Sequence, residues 1–577
     1  MARLELEHTL NERNSHRGSG NIPIEDGIAI TKYQNREGWA AIPFIIGSMV
    51  GLTLSISSWA SNLIVFLKKE FNVKSIDATQ INNVVLGFNT LLPVAGAIVA
   101  DVFSCYFVIS FFAFLSLLGM ILFNLITTIH CLRPSPCELM GSISSCPSPS
   151  RLQLAILYIT LGLASLGVGG TRFTIATMGA AQFDKPKNQR AFLSLYYLFF
   201  YVANGTSLTA MIYIEDNVGW NLAFRICLVS NVIALVLFLS GKRFYRRKPK
   251  VERNPFLSIV HVVLAAVKKR NMSGTFGNRD YYYGSVETTN ILGDGPSKSL
   301  RWLNRAALKV DGDHEQQSSR SNARSWKLCT VEEVEDLKTL LKIIPFWSST
   351  ILVSVTISMF NNLVILQALT MDRHIGSHFQ VSAGSLVVFN LISVAFSVLI
   401  FDFFIIPIWK KLYPHRALTL IPRIGIGHVI NILGLVAAAL IERRRLHVVR
   451  THQLSSISIV PMSALWLLVP LGVLGIGEAL HLIGNIMLFY QEFPKSIKNS
   501  SGAMAALILG IGYYLTIAIT DLVHKTTRWL PDNINDGRLD NVYWMLAVIG
   551  AVNFGYYLIC AYKYRYVEKS NDNPNDI

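Results

Sequence analysis

Twelve apolar runs, each close to the twenty residues a helix needs to cross a hydrocarbon core, leave this chain few ways to fold. They cover 40–67, 79–101, 104–130, 151–178, 191–214, 219–241, 338–369, 382–409, 417–441, 461–490, 502–524 and 541–562. Inside a bilayer every backbone N–H and C=O must be satisfied within the protein, so runs of this length become helices. The pattern predicts an all-α membrane protein with twelve transmembrane helices, six before and six after one long polar insertion. Composition agrees: 51% of the 577 residues are hydrophobic, 15% are charged and the mean hydropathy is +0.41, too apolar for a water-soluble chain of this length.

The expected units are a polar tail (1–38), a first six-helix bundle (39–241), a basic linker (242–337), a second six-helix bundle (338–566) and a short tail (567–577). Residues 1–38 hold no short apolar core of the kind a secretory signal needs, which places the N-terminus in the cytosol. An even number of spans returns Lys563, Arg565 and Lys569 to the same side. The formal net charge of +16 reads as membrane topology rather than nucleic-acid binding. Lys185, Lys187 and Arg190, Lys410, Lys411 and Arg416, and Lys495 and Lys498 all fall in loops assigned to the cytosol. Two clusters break that bias, Lys68, Lys69 and Lys74 after span 1 and Arg443, Arg444 and Arg445 after span 9. The linker opens on the basic stretch KRFYRRKPK, suited to an anionic leaflet, and is read as partly disordered, with amphipathic helices at 255–270 and 299–309.

Cys131, Cys137 and Cys146 share the outer loop after span 3, where one bridge and three free thiols fit the sequence equally well. Cys105, Cys227, Cys329 and Cys560 are scattered without metal-ligand spacing. No phosphate-binding loop and no nucleophile with a neighbouring base is present, so the chain is read as a non-enzyme that needs neither cofactor nor metal.

Charge inside the spans is where function shows. Arg172 sits in the Gly-rich span 4, ILYITLGLASLGVGGTRFTIATMGAAQFD (156–184), and a guanidinium at that depth requires a polar cavity or a partner. Glu478 sits in span 10, with His481 and Asn485 along the same helix face. A cation in one half and a carboxylate in the other predict a cross-half pair, either a structural bridge or a gate that an incoming anion opens by competing for Arg172. Asn82, Asn83 and Asn89 in span 2 and the aromatic run containing Tyr196 and Tyr197 in span 5 offer further polar groups. The expected substrate-binding set is Arg172, Glu478, Tyr196, Tyr197, Asn83 and Asn485, and the expected substrate a small inorganic anion.

Six plus six spans with a basic central loop resemble the major facilitator superfamily. The stretches GGTRFTIATMGAAQFD (169–184), RWLNRAALKV (301–310), KLCTVEEVEDLKTLLKIIPFW (327–347), GIGEAL (475–480), EFPKSIKN (492–499) and LPDNINDGRLDNVYW (530–544) narrow the resemblance to the plant nitrate/peptide transporter family. It implies the major facilitator fold, a span-4 cation that contacts substrate at Arg172 and a span-10 glutamate that pairs with it at Glu478. Proton-coupled members carry a Glu-x-x-Glu-Arg or Lys signature in span 1, where this chain has Met49, Leu52 and Thr53. Ile357 occupies the position at which a dual-affinity nitrate transporter of the family has its nitrate-binding histidine, and Ser104-Cys105-Tyr106 replaces the usual Gly-Arg turn after span 2.

The lost carboxylates bear on direction. One charge crossing the membrane potential is worth about 2.3 kcal/mol per 100 mV, so accumulating an anion inside a negative cell needs co-transported protons. Export needs none. The resemblance therefore points to the nitrate excretion transporter clade: low-affinity, potential-driven efflux of nitrate, and of chloride as a second candidate, chiefly at the plasma membrane rather than the vacuole. The alternatives are a proton-coupled importer of nitrate, another small anion or a peptide, and a non-transporting sensor homologue.

Overall fold

The computed structural model describes residues 38–135, 138–140, 143–145, 147–183, 185–246, 255–270, 281–283, 296–297, 299–309, 328–376, 379–413, 420–453, 458–492 and 501–564. Twelve helical rods follow the twelve apolar runs. In the first half they are Ile42–Ser61 (extended past Asn62 by Leu63–Glu70), Ser75–Val102, Cys105–Thr128, Arg151–Ala180, Pro186–Thr206 (running through a π-helical turn, Ser207–Met211, into Ile212–Asn217) and Trp220–Ser240. In the second half they are Val331–Leu369, Val388–Ile400 (continued through the π-helical turn Phe401–Ile405 to Ile406–Leu412), Leu420–Thr451, Leu468–Glu492, Ser501–Thr526 and Leu539–Lys563. These are spans 1 to 12.

Ten helices among the described residues are long and apolar enough to cross a membrane by length and composition. Span 2 carries Asn82, Asn83, Asn89 and Pro93, and span 8 begins as the shorter apolar helix Gly384–Ile400 and continues through the π-helical turn Phe401–Ile405. Spans 4 and 7 start where their side chains can satisfy the first free N–H groups. Ser150 with Gln153 and Thr330 with Glu333 form reciprocal capping boxes.

The two halves pack alike. Span 4 lies against spans 2 and 3, span 6 against spans 1 and 3, and span 1 against span 5. Each of these pairings recurs six spans later, as 10 with 8 and 9, 12 with 7 and 9, and 7 with 11. Span 4 approaches its neighbours closely because it is built of glycine. A Cβ on Gly96 of span 2 would lie 2.2 Å from the Gly169 carbonyl oxygen, and one on Gly170 would lie 1.9 Å from the Phe112 ring. The halves meet along spans 2 and 11, and again where the turn Ser207–Met211 of span 5 touches Gly384–Val387 at the start of span 8. The intervening volume is a central gap.

Four of the six basic residues that broke the charge bias have partners. Lys69 Nζ is 3.1 Å from Asp216, Lys74 Nζ is 2.8 Å from Asp532, and the Arg444 guanidinium lies 4.8 Å from the Trp466 ring centre. Arg445 is fully buried and grips Glu442 through Nε (2.8 Å) and Nη2 (2.6 Å). Gln367 donates to Glu442 at 2.6 Å, Tyr543 donates to Gln367 at 3.1 Å, and Arg445 also donates to Thr370 at 3.0 Å. One buried network thereby ties spans 7, 9 and 12 at the end remote from the linker.

The linker is more ordered in its described parts than its composition predicts. Helix Pro255–Lys268 packs Val262, Ala265 and Ala266 against Leu303 and Ala306 of the turn after Arg301, and against Val331 and Val334 of span 7. The helix of span 7 accordingly begins at Val331 rather than 338, its first turns forming the linker's dock. Cys137 and Cys146 lie outside the described residues, and with them the pairing of the outer-loop cysteines.

Removing one partner of a buried pair leaves an uncompensated charge, which costs about 3–5 kcal/mol. Arg445→Ala is therefore expected to lower the melting temperature of the purified protein in detergent substantially, and the double replacement Glu442→Leu with Arg445→Leu to recover most of the loss. Equal melting temperatures for parent and Arg445→Ala would contradict the network's role.

Candidate functional site

Arg172 lies about two thirds of the way along span 4, yet its side chain is exposed, because it opens into the gap between the halves. Its guanidinium carbon is 5.8 Å from the Phe200 ring centre, and its carbonyl oxygen accepts the Tyr196 hydroxyl at 3.4 Å. Among the described residues no carboxylate is within ion-pair distance of it. The face of span 5 thus supplies an aromatic wall: Tyr196 is buried and supports the backbone of Arg172, whereas Tyr197 is exposed. The two tyrosines expected to act alike do different things.

Across the gap, Glu478 is half-buried in span 10 and accepts from Asn390 Nδ2 of span 8 at 3.3 Å. It lines a pocket of about 110 Å³ with Thr350, Ser354, Ser358, His481 and Tyr513. The pocket is small, and Val353, Ile357, Leu482 and Leu509 share its lining with the polar groups. The expected pair between Arg172 and Glu478 is not closed here; Tyr513 of span 11 is the group within electrostatic reach of both. An open pair leaves the guanidinium available to an anion and the carboxylate held by neutral donors.

The other expected positions separate by placement. Ile357 lines the Glu478 pocket. His481 also reaches it and meets His428 of span 9 edge to face, the ring centres 4.5 Å apart. Asn485 is buried and donates to the His481 carbonyl of its own helix at 2.8 Å, so it does not reach the pocket. Met49, Leu52 and Thr53 are buried, and the first two belong to the apolar cluster of the first half that includes Tyr196, Ala234 and Phe238.

Asn83 belongs to a seal above the pocket. Asn82 Nδ2 donates to Asn362 Oδ1 at 2.9 Å, Asn362 Nδ2 donates to Asn83 Oδ1 at 2.7 Å, and Ser358 Oγ donates to the same oxygen at 3.2 Å. All four residues are buried, and the bonds join span 2 to span 7 across the two halves. Farther out, Lys74 and Asp532 bridge the halves again, and Ser382 reaches the Ile212 carbonyl at 3.5 Å. These cross-half polar contacts lie on the side of the pocket remote from the linker. Span 7 signalled its part in advance: Thr350, Ser354, Ser358 and Asn362 recur every four residues along one face. Tyr513 and Asn390 are not singled out by the sequence.

Two helical bundles related by a repeat, sealed at one end and enclosing a cation and a carboxylate at mid-depth, define a secondary membrane transporter of the major facilitator type. The chain belongs to the POT family, whose sequence profile matches residues 106–536. It is 43% identical to Protein NRT1/ PTR FAMILY 2.3 of Arabidopsis thaliana over 94% of this chain and 95% of the relative, and 42% identical to Protein NRT1/ PTR FAMILY 2.7 of the same plant over 93% of this chain and 94% of the relative. An auto-inhibited POT family peptide transporter shares its fold with a TM-score of 0.66 at 16% identity, covering 92% of this chain and 99% of that one. PepTSo, a POT family transporter, does so with a TM-score of 0.64 at 17% identity over 90% and 97%. The chain is a multi-pass membrane transporter and not an enzyme.

Neutral amides hold the seal, and each buried hydrogen bond contributes about 1 kcal/mol. Asn362→Ala removes two of them, taking the acceptor from Asn82 and leaving Asn83 Oδ1 with Ser358 alone. A spin-label pair placed on the outer ends of spans 2 and 7 is expected to show a longer-distance population in this variant that the parent lacks, while an unchanged distribution would show that the amides do not hold the seal.

Proposed function

We propose that this transporter carries nitrate, and chloride as a weaker substrate, outward by alternating access driven by the membrane potential. The observation that carries the reading is Arg172: a guanidinium at mid-membrane, open to the gap, with no carboxylate at ion-pair distance among the described residues. Its planar fork suits a planar oxyanion, and Phe200 and Tyr197 bound the space beside it. With Met49, Leu52 and Thr53 buried in span 1, that helix offers no acid to carry a proton with the anion. On this reading the linker and both termini lie in the cytosol and the protein in the plasma membrane, and the linker end is the cytosolic entrance through which the anion loads.

One observation favours a second reading. Glu478 lines a small pocket and accepts from Asn390, and among the described residues no cation is paired with it, which suits a proton-binding group in a proton-coupled importer. The two readings differ in stoichiometry. Nitrate and internal pH are followed together in proteoliposomes under a clamped potential, with an outward nitrate gradient and no pH gradient. For the exporter, flux follows the potential, internal pH stays flat, and Arg172→Ala lowers the flux about tenfold to a hundredfold, the equivalent of one charge-assisted contact. Flux that requires a pH gradient and disappears in Glu478→Gln supports the importer instead.

A further inference from the structure

A second cavity, about 930 Å³, lies between the outer halves of spans 2 and 4, with Ile517 of span 11 at its edge. It is separate from the central gap and lined by none of the residues around Arg172 or Glu478. Phe88, Tyr158 and Leu166 on its walls are all exposed, so it opens sideways, on the surface that hydrocarbon covers. Nothing lies within 4 Å of the position a Cβ would take on Gly162, which leaves the span 4 wall hollow at its middle.

The walls change character along the groove. Lys74, Asp77 and Gln80 bound the end near the outer loops, and Val84, Phe88 and Leu92 line the deeper part opposite Leu161 and Leu166. At 1.5 Å per residue the apolar wall from Ile81 to Leu92 is about 16 Å long. One leaflet of hydrocarbon is about 15 Å deep, half of a core about 30 Å thick. The length thus matches a single chain lying along the membrane normal from headgroup level to midplane. The rim presents both signs of charge, and Lys74 keeps 68% of its side chain exposed although its ammonium also meets Asp532.

We propose that this groove is a binding site for a zwitterionic phospholipid, one acyl chain lying along spans 2 and 4 and the headgroup between Lys74 and Asp77. The groove borders the seam that alternating access must break, since span 2 packs on span 11 and Lys74 bridges to Asp532 of the other half. A bound lipid therefore braces the sealed end.

The test uses the full chain in nanodiscs containing phosphatidylcholine with a photoreactive diazirine in mid-chain, followed by mass spectrometry of the labelled peptides. Adducts are expected to concentrate on 81–92 and 158–166. Gly162→Phe, whose Cβ would meet no neighbour and whose ring would occupy the hollow, should cut that labelling several-fold and leave other lipid-facing peptides unchanged. Leu166→Trp should do the same, and it carries the test if the first variant fails to elute as a monodisperse protein. Labelling spread evenly over all lipid-facing helices, or unchanged in both variants, overturns the proposal. So does labelling of these peptides by a photoreactive sterol that excess phosphatidylcholine fails to displace, which would assign the groove to a sterol.

Discussion

A charge in hydrocarbon has to find water, a partner or a cavity, and most of this structure's design follows from how it meets that demand. Arg445 meets it with Glu442, bidentate and completely enclosed. Arg172 meets it differently, by opening into the gap between two bundles. The first solution locks spans together, and the second keeps a cation available. The same side chain is structural in one place and a candidate binding group in the other, and the difference lies in what faces it.

The seal explains how the gap can exist without weakening the protein. The Asn82, Asn83, Ser358 and Asn362 cluster holds the halves with hydrogen bonds between neutral groups, which form and break without leaving an isolated charge in the membrane. A buried ion pair at the same place would be far harder to open, because separation would strand both charges. The ion pairs are found where no opening is required of them, as in the network of Glu442, or at the solvent-exposed rim, as with Lys74 and Asp532. The physical type of each contact matches the movement asked of it.

The repeat ties these features into one cycle. Because every principal packing pair of the first half recurs six spans later, the two bundles are equivalent bodies that can rock about the region between them. Arg172 of span 4 and Glu478 of span 10 occupy corresponding helices of the two bodies, which is why they face each other. Tyr513, within electrostatic reach of both, keeps a polar group near them while the pair is open.

The spans, the two halves and the intramembrane residues Arg172 and Glu478 were legible in the sequence alone, because desolvation acts on each apolar run and each buried charge locally, whatever the rest of the chain does. Family membership was legible for a similar reason, in contiguous motifs such as GGTRFTIATMGAAQFD. Tertiary structure decided everything that depends on which faces meet. It placed Asn83 in the seal, turned Asn485 onto its own helix and Tyr196 onto the backbone of Arg172, and brought Tyr513 into the pocket that Glu478 lines. It also separated Arg172 from Glu478 in this conformation, since the distance between spans 4 and 10 is set by how two rigid bundles lean on each other. A sequence records the period along each helix, but not the tilt between bodies.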